Sequence, residues 1–217
     1  MMISFCSATC SLIRRAFCVL SILLVTMSSA FATNVLLLGD SLSAGYGMQA
    51  SEGWAFKAQK QLQQQFPQFK LLNFSASGET TGGGKARLAR LLSKNEVDVL
   101  WIELGGNDGL RGYPINTIRN NLSQMITLAK EQGIKVILTE IHIPPSMGKR
   151  YTSMFTGLYA KLAEKHQVEL MPFFIEEIAL DPKLMLPDGI HPNKKAQPII
   201  ASQITEYFTE YLQRAGS

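Results

Sequence analysis

The chain has 217 residues, 46% of them hydrophobic and 18% charged. That is a globular composition, and one core suffices for this length. The formal net charge is +4, but Arg14 and Arg15 precede the folded part, leaving 19 basic against 17 acidic residues. So small an excess, with no aromatic residues interleaved in a basic run, excludes an electrostatic case for nucleic acid.

Residues 1–32 read as a secretory leader. Arg14 and Arg15 stand before the apolar run "AFCVLSILLVTM", and "SSAFA" follows with Ala30 and Ala32 at the small-residue positions, so cleavage is expected after Ala32. The run is short for a membrane span of roughly 20 residues, and no stable membrane insertion is expected once it is removed. The expected location is periplasmic or secreted, by a Sec-type rather than a twin-arginine route. All three cysteines, Cys6, Cys10 and Cys18, fall in the leader. The remainder, 33–217, read as a single domain, therefore lacks disulfides, thiolate catalysis and cysteine-ligated zinc.

From residue 34 the pattern alternates. "NVLLLG" is an apolar run, and Trp54, Ala58, Leu62 and Phe66 mark one helical face. "FKLLNFS" reads as a strand and "KARLARLL" as a helix, with Gly82-Gly83-Gly84 a poor opening that leaves the helix start undefined. "VDVLWIELGG" suits a strand buried on both faces. Leu122, Met125, Ile126 and Ala129 mark the next helix, ended by Gly133. "IKVILTEIHI" is a fourth strand stopped by Pro144 and Pro145, a helix follows over about 152–165, and "VELMPFF" is a fifth strand. Ile200, Ile204, Phe208 and Leu212 mark a last helix. Repeated strand–helix alternation predicts an α/β fold, three-layer α/β/α, with a flavodoxin-like, doubly wound parallel sheet of five strands.

In such sheets the site lies at the carboxyl ends of the strands. Ser41 follows strand one, Gly78 strand two and Asn107 strand three; His142 ends strand four, and Asp188 and His191 lie in "LPDGIHPN" before the last helix. A serine, a histidine, a carboxylate and candidate oxyanion donors at one rim are the inventory of a serine hydrolase. Asp188-Gly189-Ile190-His191 is D-x-x-H in a turn, so the carboxylate can reach Nδ1 of the same imidazole and leave Nε2 for Ser41. Singly, each of these residues fits an ordinary turn; their joint occurrence in this order carries the reading. His166 reads as a helix-end residue, and His142, with no carboxylate at short spacing after it, as a pocket residue rather than the base.

"GDSLSAGYG", the glycine of "SASGET", "GGND" and "DGIHPN" resemble the four blocks of the GDSL or SGNH hydrolase family. "ELGGNDGLRG" and "PFFIEEIAL" resemble its bacterial subgroup acting on thioesters, aryl esters and lysophospholipids. The resemblance implies Ser41 as nucleophile, His191 as base and Asp188 as its orienting carboxylate. It implies an oxyanion hole from the N–H groups of Ser41 and Gly78 and the side-chain amide of Asn107. It also implies small acyl esters or thioesters, with lysophospholipids among them, as partners, a monomer, and neither metal nor cofactor. A carbohydrate acetylesterase of the same family is the alternative substrate reading. Leu110, Tyr113, His142, Ile143, Met147, Met154 and Phe155, on the loops after strands three and four, are the candidate acyl-pocket residues.

Rival motifs fail. "ETTGGGKA" has Glu79 where a phosphate loop needs glycine and Ala86 where it needs a hydroxyl. The G-x-S-x-G of α/β-hydrolases does not occur. An FMN-binding flavodoxin-like module would explain "DSLSAGYG" but leave Asn107, Asp188 and His191 without work. A catalytically inert exported binding protein would leave all of them idle.

Overall fold

The computed structural model describes residues 33–216; the expected leader lies outside them. Five strands, β1 (Asn34–Gly39), β2 (Lys70–Asn73), β3 (Val99–Glu103), β4 (Lys135–Thr139) and β5 (Glu169–Met171), form one sheet in the order β2-β1-β3-β4-β5. Every neighbouring pair is parallel. Helices α1 (Ser41–Ala44), α2 (Trp54–Gln65), α3 (Thr81–Lys94), α4 (Gly106–Leu110), α5 (Ile115–Glu131), α6 (Lys149–His166), α7 (Glu176–Ala179) and α8 (Gln197–Gly216) connect and cover it.

Successive strand residues face opposite sides, which divides the apolar residues into two cores. Val35, Leu37 and Trp101 pack with Trp54, Ala58 and Leu62 of α2 and with Ile200, Ile204 and Phe208 of α8. Leu36, Leu38, Leu100 and Ile102 pack with Leu88 and Leu92 of α3, Ile118 and Leu122 of α5, and Leu158 and Leu162 of α6. Covered on both sides, β1 and β3 have no polar face to show, and this is why they read as unbroken apolar runs.

Two element boundaries depart from the sequence expectation. The fourth strand stops at Thr139, not at Ile143, because its outer neighbour β5 has only three residues; the ladder ends with Thr139 paired to Met171 and one further bond, Glu140 N–H to Met171 C=O at 2.9 Å. His142 accordingly lies in a loop beyond the sheet. The three glycines belong to the helix: α3 begins at Thr81, with Thr80 Oγ1 accepting from Gly83 N–H at 3.2 Å as its cap. A Cβ on Gly84 would stand 2.4 Å from Leu104 Cδ1, so packing against the end of β3 requires glycine despite its helix cost.

The strand order reverses at β1, between β2 and β3. The crevice beyond the carboxyl ends at such a switch point is where this fold places ligands. Ser41 leaves β1 there, and Asn107 follows β3.

Candidate active site

Ser41 is the first residue of α1, a single turn capped by Asp40, whose Oδ1 accepts from Leu42 N–H at 3.0 Å. Trp54 Nε1 donates to Leu42 C=O at 2.8 Å and ties that turn to the start of α2. His191 arrives from the other end of the chain on a turn that is pinned repeatedly. Leu186 N–H donates to His191 C=O at 2.7 Å, and Asn193 N–H to Leu184 C=O at 2.7 Å. The buried side chain of Gln197 spans both parts: its Oε1 accepts from Trp54 N–H at 2.9 Å, and its Nε2 donates to Pro192 C=O at 3.2 Å.

These supports bring His191 Nε2 to 2.8 Å from Ser41 Oγ, and His191 Nδ1 to 2.8 Å from Asp188 Oδ2. The other carboxylate oxygen, Asp188 Oδ1, accepts from the N–H groups of Ile190 at 2.9 Å and His191 at 3.0 Å. Burial would raise the Asp188 carboxyl, but those two N–H groups and the imidazole outweigh it and hold it down at about 2. The structure thus brings Ser41, His191 and Asp188 together with the Asp188–Nδ1 contact that the D-x-x-H spacing predicted. With Nδ1 committed to a carboxylate, Nε2 is the nitrogen left to exchange a proton with the hydroxyl.

Across the crevice, Gly105 turns the chain after β3 at φ 123°, a conformation that favours glycine; a Cβ there would also lie 2.1 Å from the Tyr159 hydroxyl. α4 starts immediately and presents Asn107. Its neighbour Asp108 is buried and locks α4 to the start of α3, accepting from Thr81 N–H at 2.8 Å and Thr81 Oγ1 at 2.6 Å. Asn107 Nδ2 donates to Asp40 Oδ2 at 3.1 Å, which uses one of its two amide hydrogens. Gly78 sits in a turn after β2 at φ 79°, and Arg111 Nη2 donates to its carbonyl at 3.3 Å.

Behind the serine lies a pair of acids that the sequence reading did not single out. Glu103, the last residue of β3, is fully buried; its Oε2 accepts from Asp40 N–H at 3.2 Å and from Ser43 Oγ at 2.6 Å. Burial, and then the Asp40 charge, push the Glu103 carboxyl well above the ordinary glutamate range. Burial likewise pushes Asp40 up to about 6, against the pull of Leu42 N–H, the Asn107 amide and His191.

Ser41, Asn107 and His191 open on a cavity of about 620 Å³ with mainly apolar walls. Of the expected pocket residues it takes Leu110, His142 and Ile143. Phe155 is instead fully buried in the core against Tyr159, because α6 turns that face to the sheet. Met154, one residue earlier and 100° around the helix, is exposed; Tyr113 is also exposed, its carbonyl taken by the Tyr151 hydroxyl at 2.7 Å. Met147 packs against the core formed by α3, α5 and α6. The opposite wall, Phe173, Ile175, Leu180, Met185 and Ile190, comes from the segment joining β5 to α8. The run "PFFIEEIAL", too apolar for a solvated loop, is the signal that could have found it. His142 stands between two carboxylates, Nδ1 at 3.2 Å from Glu176 and Nε2 at 3.5 Å from Glu140. Among the described residues no group of three or more His, Cys, Asp or Glu side chains is placed to hold a metal ion.

The GDSL-like Lipase/Acylhydrolase family matches residues 37–198 of the chain. This protein is a member of that family. It is 44% identical over 188 residues to an arylesterase of Vibrio mimicus, covering 87% of this chain and 94% of the relative. It is 42% identical over 182 residues to the thioesterase 1/protease 1/lysophospholipase L1 of Escherichia coli strain K12, covering 84% and 86%. The crystal structure of the psychrotrophic esterase EstA from Pseudoalteromonas sp., inhibited by monoethylphosphonate, superposes with a TM-score of 0.81 at 40% identity, covering 83% of this chain and 99% of that one. The GDSL/SGNH hydrolase is therefore an enzyme, a serine ester hydrolase acting on small-molecule esters.

Proposed function

We propose that this hydrolase cleaves carboxylic esters and thioesters through an acyl-enzyme on Ser41. The observation that carries the proposal is the unbroken relay from Ser41 Oγ through His191 to Asp188, each step 2.8 Å. Oγ attacks the acyl carbon as its proton passes to Nε2. Asp188 holds the imidazolium by Nδ1–H, and Nε2–H then protonates the departing alcohol or thiolate. Water, deprotonated by Nε2, attacks the acyl-enzyme and releases the acid and Ser41. The N–H groups of Ser41 and Gly78, with the second amide hydrogen of Asn107, receive the negative charge on the tetrahedral oxygen.

The apolar cavity supports short- to medium-chain acyl groups, with thioesters, aryl esters and lysophospholipids as the substrate classes. The hydrolase acts as a monomer in the periplasm or outside the cell after loss of residues 1–32; N-terminal sequencing of the exported protein then begins at Thr33. A fluorophosphonate labels Ser41 stoichiometrically, and Ser41→Ala abolishes both labelling and turnover. Labelling elsewhere, or turnover by Ser41→Ala, overturns the mechanism. Assay on p-nitrophenyl esters from acetate to palmitate, acyl-CoA and lysophosphatidylcholine sorts the substrate classes. Turnover of acetylated sugars alone would replace them with a carbohydrate acetylesterase.

A further inference from the structure

We infer that Tyr46 is a positioning residue whose ring steadies the protonated form of His191 during turnover. The inference rests on the proposed role of His191 as base. The Tyr46 ring lies over the imidazole with centroids 4.2 Å apart and planes 24° from parallel. The residue is 47% exposed, so the ring is not held by a core; among the described residues its one aromatic neighbour is the imidazole. Its backbone belongs to the nucleophile: Tyr46 N–H donates to Ser41 C=O at 3.3 Å, and Gly45 N–H caps α1 on the same carbonyl. Gly45 at φ 76° and Gly47 at φ 73° flank it, and these two left-handed residues turn the chain back so that the tyrosine leans across to the histidine.

The electrostatics favour one protonation state. An aromatic face carries negative quadrupole charge and attracts a cation more strongly than a neutral ring. As the proposed base, His191 gains positive charge when it takes the Ser41 proton, so the stack is worth more in the transition state than in the ground state. Only such a difference raises kcat. The titratable groups facing the imidazole are Asp188 on its own turn, Asp40 beneath Ser41 and the Tyr46 phenol itself; Asn107 is neutral, and His142 and Glu176 line the same cavity. Asp188 meets the imidazole at its edge and Tyr46 meets it on its face, so the two act on the same charge from different directions.

The test compares Tyr46→Phe, Tyr46→Leu and Tyr46→Ala by kcat, KM and the pH profile of kcat/KM on one p-nitrophenyl ester. Losing the ring makes His191 harder to protonate. Tyr46→Leu and Tyr46→Ala therefore lower kcat by roughly 3–10-fold with little change in KM, and the acid limb moves to lower pH by about half a unit. Tyr46→Phe keeps the wild-type profile. A Tyr46→Leu enzyme with wild-type kcat and an unmoved acid limb, or a Tyr46→Phe enzyme as impaired as Tyr46→Leu, overturns the inference. Fluorophosphonate labelling of Ser41 separates the two levels: where it holds and the Leu profile is unmoved, Tyr46 alone is reassigned; where it fails in the wild type, the base assignment falls first.

Discussion

Two carboxylates approach the serine hydroxyl from opposite environments. Asp188 stands in a surface turn, its side chain 38% exposed, held by three hydrogen bonds from the two residues that follow Gly189. Asp40 lies beneath Ser41, buried beside a second acid, Glu103. The first is held down at about 2, and the second is pushed up to about 6. Burial decides for Asp40, and donors decide for Asp188. Asp188 collects two N–H groups and an imidazole at the surface, whereas Asp40 has the Leu42 N–H and the Asn107 amide but loses more to its burial. The ionised group suits work that needs permanent charge beside the base. The buried pair suits fixing the shape of the turn that carries the nucleophile.

The largest expected effect comes from neutralising the exposed partner. Asp188→Asn keeps an oxygen for the Ile190 and His191 N–H groups but offers no fixed acceptor charge to Nδ1–H. It lowers kcat by about 10⁴-fold, as loss of the orienting aspartate does elsewhere. Near wild-type kcat in this variant would put Asp188 in the same purely architectural role as Asp40.

Asn107 joins the two environments, since its amide rests on Asp40 while facing the cavity. Asn107→Ala lowers kcat by roughly 10²–10³-fold with little change in KM, the effect of removing one oxyanion donor. Asn107→Asp is at least as damaging, because it sets a carboxylate against the developing charge and against Asp40. A folded Asn107→Ala enzyme with unaltered kcat would confine this residue to the turn. Measuring kcat, KM and melting temperature together distinguishes the outcomes.

The smallest effect is on stability, and there the two acids pull in opposite directions. Folded Asp40 keeps its proton to about pH 6, whereas the ordinary aspartate loses it near 3.8. The native state therefore binds more protons between those values, and stability falls as pH rises through that window, by about 2–3 kcal/mol. Asp188 is the reverse: its contribution is present above about pH 4 and is lost as pH falls toward 2. Asp40→Asn makes the fall between pH 4 and 6 shallower and leaves the share of Glu103, whose carboxyl burial also pushes up, as read by urea unfolding at several pH values. An identical slope in wild type and Asp40→Asn would show that Asp40 is not the group responsible.

The same contrast explains what could be read in advance. The Asp188–His191 pair is local, three residues apart in a turn, and so its geometry is written in the spacing. Ser41, Gly78 and Asn107 could be placed at one rim because parallel strands bring their carboxyl ends to one edge, which the alternation of apolar runs implies. The Asp40–Glu103 pair depends on contacts from Glu103 to Asp40 and Ser43 across neighbouring strands, and "WIELGG" offers no sign that its glutamate points inward. The pocket's second wall was missed for a related reason. It is built by a long segment with little regular structure, whose path follows from the turn around Asp188 rather than from any periodicity. Phe155 and Met154 show the limit on the other side: adjacent apolar residues on a helix face different ways, and only the packing of α6 decides which is enclosed.

Gln197 carries a consequence for the order in which the molecule becomes dangerous to its maker. One side chain links the start of α2 to the turn bearing His191, and Ser41 and His191 are separated by 150 residues of chain. Synthesis delivers the hydroxyl early and the imidazole late. On the proposed role of His191, the serine gains its proton acceptor only once α8 has packed beside α2.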